Sequence, residues 1–110
     1  MELNLVDLRD ALVTLTEKVY HYTAPSQEAV PYLIWAEDTR TDLLADNKHV
    51  EAGYEGTIDL FTRDEDDPLM TAVPALLNDL PIGWYQNSVQ YEEDTGLIHY
   101  EWVWRLYGKI

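Results

Sequence analysis

The stretch WYQNSVQYEEDTGLIHYEWVWRLY, from Trp84 to Tyr107, decides the fold. Its second half alternates without a break. Ile98, Tyr100, Trp102, Trp104 and Leu106 fall on one side; Leu97, His99, Glu101, Val103 and Arg105 fall on the other. Successive side chains of a strand point to opposite faces, so this period marks a strand with one aromatic face. Glu93-Asp94-Thr95-Gly96 separates it from a preceding strand, Trp84–Glu92, and Gly96 supplies the positive φ of a bulged turn. The stretch therefore reads as a hairpin of two long strands. Tyr85, Val89 and Tyr91 are expected to face its aromatic side.

Working outward, His49 to Thr62 alternates in the same way. Val50, Ala52, Tyr54, Ile58 and Leu60 lie on one side, with Gly56 in phase; Glu51, Glu55, Thr57 and Asp59 lie on the wet side. Gly53 and Gly56 point to a bulge or bend in this long strand. Tyr32–Ala36 is a short, nearly all-apolar run and reads as a strand buried on both faces. The polar segment Glu37 to Lys48 reads as a loop. Leu5, Leu8, Leu12, Leu15 and Val19 recur in steps of three and four, which predicts a helix over about residues 4–18. Val19–Tyr22 then looks extended, up to Pro25. Arg63 to Asp67 is a charged turn, and Asp67-Pro68 reads as an N-cap followed by proline at the first helical position. Leu69, Val73, Leu76, Leu77 and Leu80 form a second helical stripe, which Pro74 is expected to kink or split because it lacks an N–H. The expected fold is α+β: a mostly antiparallel sheet of about five strands, with two helices packed on one face.

The 110 residues fit one domain, 1–110, and 46% hydrophobic residues supply a core. Seven Lys and Arg against 21 Asp and Glu give a net charge of -14, which repels phosphate backbones and anionic membrane surfaces. No segment has the pattern of a signal peptide or the length of a membrane span. The chain has no Cys, which excludes disulfides, thiol catalysis and iron–sulfur ligation. Eight Tyr and four Trp against one Phe favour an aromatic core, with part of the set available to partners.

Candidate chemistry is sparse. His49-Val50-Glu51 and His99-Tyr100-Glu101 each place a histidine and a carboxylate on one side of a strand, a spacing that suits a metal. With no third ligand fixed by sequence, solvated strand-face residues are the better reading. The acidic runs Asp64–Asp67 and Glu92–Asp94 read as solvated turns, and the first lacks the spacing of a calcium loop. Phosphate-cradling glycine motifs and nucleophile elbows are absent. No catalytic, cofactor or metal site is expected, and the chain does not read as an enzyme.

Several segments carry a resemblance: Tyr22-Thr23-Ala24-Pro25, Pro31 to Glu37, Ala45-Asp46-Asn47 with Gly56 to Thr62, and Trp84 to Glu92 with Thr95 to Trp102. Together they resemble small proteins from the head–tail gene block of long-tailed phages and prophages of Gram-positive bacteria. Within that block the chain is most similar to tail terminator, or tail completion, proteins. The resemblance implies a small α/β protomer that closes into a ring, usually sixfold, sometimes only once it meets the tube end. The ring caps the tail tube, stops its polymerisation and offers a surface to the head connector. Expected partners are other copies of the chain, the tail tube protein and the head connector protein. The expected location is the virion neck, and the host cytoplasm during assembly. Ring contacts join different patches of each protomer. The candidates are the segment carrying Arg40, Asp42, Asp46 and Lys48, and the aromatic hairpin with Trp84, Tyr85, Trp104 and Tyr107. Arg40 and Lys48, two of only seven basic residues, are expected to pair with a neighbour's acids. A head-closure component of the same neck is the nearest alternative. An acidic DNA mimic, and a small enzyme using His99 and Glu101 or a metal, belong to other classes.

Overall fold

In the computed structural model, residues 3–40, 43–45, 48–51 and 53–107 are described. The first helix, α1 (Leu5–Val13), starts in a reciprocal cap. Asn4 Oδ1 accepts from the Asp7 N–H at 2.8 Å, and Asp7 Oδ2 accepts from the Asn4 N–H at 3.1 Å. Leu8 and Leu12 are its buried stripe. The helix stops well before residue 18. The Thr14 and Leu15 N–H groups bond three residues back, to Ala11 and Leu12, and the Thr14 hydroxyl also takes the Ala11 carbonyl. That tightened turn leads into β1 (Val19–His21), the extended segment read from the sequence.

β1 pairs in parallel with β2 (Tyr32–Arg40), and β2 pairs antiparallel with β5 (Gly53–Thr62). The final hairpin is β6 (Gly83–Glu92) and β7 (Leu97–Tyr107), turning at Gly96 with φ 72°. The sheet order is β1-β2-β5-β7-β6, so every contact but the first is antiparallel. The α+β architecture read from the sequence is the one present. Trp102, Trp104, Leu33, Ile58, Leu60 and Leu106 of the sheet share one core with Leu8 and Leu12 of α1 and with Val73 and Leu77 of the second helix. Each fully buried leucine contributes about 2 kcal/mol relative to exposure.

Several expectations change. The segment Glu37 to Lys48 is not simply a loop: β2 runs on to Arg40, and β3 (Leu43–Ala45) pairs with β4 (Lys48–Glu51) in a separate two-stranded ribbon. β3 is only three residues long and is flanked by polar residues, too short a run for alternation to register. His49–Thr62 is likewise divided, β4 joining the ribbon and β5 the main sheet. The irregularity expected at Gly53 and Gly56 lies across the ladder, in a bulge of β2 between Glu37 and Thr39. Gly56 instead serves close packing: a Cβ there would sit 1.9 Å from the Ala36 carbonyl oxygen and 2.5 Å from the Trp104 ring.

The second helix, α2 (Leu69–Asp79), is a single 11-residue helix that continues through Pro74. One missing N–H deprives one carbonyl of its partner, and the buried stripe of Leu69, Val73 and Leu77 holds the helix together. Its start is capped as the sequence predicts. The buried Asp67 accepts the Leu69 N–H through Oδ1 at 2.9 Å and the Thr62 hydroxyl through Oδ2 at 2.7 Å.

A further change concerns β6. A bulge between Gln86 and Ser88 makes Asn87 an extra residue and reverses the parity of the strand. Trp84 opposes Trp104 on the core side, whereas Tyr85 opposes Val103 on the other face. Beyond the bulge Val89 opposes Tyr100 and Tyr91 opposes Ile98, so these two do face the aromatic side. They remain 53% and 65% exposed on the outermost strand.

Candidate functional site

Both helices share one core against one face of the sheet, and the wet residues of β5 and β7 meet on the other face. Cross-strand register orders that second face into rows. Tyr32, Phe61, His99 and Gln90 form one row; Ile34, Asp59, Glu101 and Ser88 form the next. Asp59, His99 and Glu101 therefore converge. One donor atom from each lies within 4.8 Å of the other two, and all three are half-buried.

The geometry is specific. His99 Nε2 lies 2.6 Å from Asp59 Oδ1. The imidazole stacks on Phe61 at 4.3 Å with planes 18° apart, and Phe61 stacks on Tyr32 in turn. Asn87, the residue added by the β6 bulge, donates Nδ2 to Glu101 Oε1 at 2.9 Å. The hydrogen bond to Asp59 raises the His99 pKa above its ordinary value, outweighing desolvation; the Asp59, Glu101 and Glu92 charges act in the same direction. Burial raises the Glu101 pKa, and the neighbouring Asp59 adds to it against the Asn87 hydrogen bond. Burial also raises that of Asp38, in the β2 bulge, with the Asp59, Glu37 and Glu55 charges reinforcing it. This is an acid-rich surface gathered round one fixed imidazole.

The sequence put His99 and Glu101 on one side of their strand and Asp59 on the wet side of another. What it lacked was the register Asp59↔Glu101 that joins them. The residues His49 and Glu51 fall in β4, where only the backbone is described. The carboxylates of Asp64 and Asp67 are engaged locally, with Asp64 accepting from the Asp66 N–H and Asp67 capping α2.

A second constellation lies by α1. His21 is sandwiched between Trp35, at 4.0 Å, and Tyr22, at 4.1 Å, and its Nε2 lies 2.7 Å from Glu37 Oε2. Leu5, Val6, Arg9, His21 and Trp35 line an open groove of about 310 Å³ there. A smaller groove of about 160 Å³ runs between Glu55, Trp84, Tyr85, Val103 and Arg105.

The interface candidates separate. Arg40 is exposed at the end of β2, with its guanidinium 5.6 Å from the Tyr54 ring centre. Tyr85 is exposed on the uncovered face. Trp84 is half-buried and donates Nε1 to Asn78 Oδ1 at 3.0 Å. Trp104 is fully buried, with Nε1 donating to the Thr57 carbonyl, so it is a core residue and presents no surface to a partner. Lys48 and Tyr107 are placed by their backbone alone, in β4 and at the end of β7. Asp42 and Asp46 lie outside the described residues.

No protein-family model matches the chain, and no curated protein matches its sequence.

Proposed function

We propose that the chain is a non-catalytic virion protein forming a ring at the head-proximal end of a phage tail, where it terminates the tail tube and joins tail to head. The observation that carries this reading is the shape of the protomer. A ring needs two unlike patches on each copy. The ribbon β3–β4 extends from the end of the sheet where β2 stops and β5 starts, and the molecule measures 51 × 25 × 23 Å. The ten-residue β6 forms a separate lateral edge bearing the exposed Tyr85, Val89 and Tyr91. One patch is an acidic and basic arm, the other an aromatic strand edge, so a neighbour's arm has a surface to meet. The -14 charge supports the same role, since a lumen that passes DNA must not hold it. The resemblance of its strand-and-turn segments to tail terminators points to the tail tube protein as the partner.

The test is tube length. Tube protein polymerised with the chain is expected to give short tubes with a disc at one end under the electron microscope. Unchanged tube length and bare ends would refute the reading and move attention to the head connector.

A further inference from the structure

We propose that Asp59, His99 and Glu101 bind one divalent transition-metal ion of the zinc type on the uncovered sheet face. The argument starts from the donors. Imidazole nitrogen with two carboxylates suits zinc and its neighbours, whereas calcium takes six to eight oxygens. The donors are already gathered within 4.8 Å. Zn–N and Zn–O bonds of about 2.0–2.2 Å put tetrahedral ligand atoms roughly 3.4 Å apart. His99 Nε2 and Asp59 Oδ1 stand at 2.6 Å, so the ion needs them to part by less than about 1 Å, which side-chain rotation supplies.

Two features separate this cluster from a chance meeting of acids. The His99 ring is held in its plane by Phe61, within the Tyr32–Phe61–His99 stack. Glu101 is aimed by Asn87, the extra residue that the β6 bulge leaves without a register partner. Metal ligands are commonly oriented by outer partners of this kind. The charges acting on His99 are all carboxylates, so a cation meets attraction from each. Three protein donors leave the fourth tetrahedral position to water or to a partner's side chain.

Calorimetric titration of the purified chain with Zn2+, and of a parallel sample with Co2+ followed by visible absorption, tests this. The expected result is one ion per chain, with the absorption of four- or five-coordinate cobalt. Asp59→Asn and His99→Gln should each weaken binding at least about 10-fold. His21→Gln and His49→Gln should leave it unchanged. Circular dichroism melts show that each variant is folded, and either of the first two suffices. No binding by the natural chain, or equal binding by folded Asp59→Asn or His99→Gln, would overturn the proposal.

Discussion

Gly56 shows how one residue without a side chain holds two strands and a tryptophan together. The Ala36 carbonyl and the Trp104 ring occupy the space a Cβ would need, and neither is the flexible end of a side chain. Gly56→Ala should therefore cost about 3 kcal/mol, read as a lowered denaturant midpoint. Glu37 gives a prediction with a pH sign. Burial pushes its pKa up, but hydrogen bonds from His21 and Tyr22 outweigh that and hold it below the ordinary carboxylate value. A depressed folded pKa stabilises above the unfolded value, about 4.3, and that stabilisation is lost as pH falls through the folded value. The thermal midpoint of Glu37→Gln should thus fall less between pH 5 and pH 3 than that of the natural chain, by scanning calorimetry across the window. Asp67 was legible as a cap because Asp-Pro before an apolar stripe has one local meaning. The cluster at Asp59 was not: no spacing within one strand reports which residue of another stands opposite.

Among elements, β7 was the clearest, since a strand buried on one face must alternate, and its aromatic side is the core side. Within the ribbon, β3 escaped detection because a strand of three residues is too short for a period of two to register. β6 lies between these cases. Its extent was legible, but the bulge at Asn87 was not, and parity fails at a bulge by one residue. The outcome is an edge strand with Val89 and Tyr91 on the core side and half or more exposed. Natural proteins blunt such edges with charge unless a partner covers them. Val89→Lys with Tyr91→Lys should leave the melting temperature of the isolated chain within a few degrees, because exposed positions contribute within about 0.5 kcal/mol. The same pair should abolish assembly, seen as a single monomer peak in size-exclusion chromatography with light scattering where the natural chain gives a larger species. An unaltered assembly would show that β6 is not a contact.

For the whole molecule, 14 net negative charges on 110 residues oppose the association of copies. Screening shortens to about 8 Å at physiological ionic strength, so ring closure should strengthen with added salt and weaken when salt is removed. The α+β class and its five-stranded sheet were legible from the pattern of elements, whereas assembly is a property of surfaces that one chain's periodicity does not describe. Native mass spectrometry tests the central claim most directly, on the chain alone and then with tail tube protein, at low and moderate ionic strength. The account predicts a closed ring of about six copies of 12.8 kDa, near 77 kDa, alone or on tube ends and more abundant as salt rises. A 12.8 kDa monomer under every condition, with tube protein present and unbound, would contradict it.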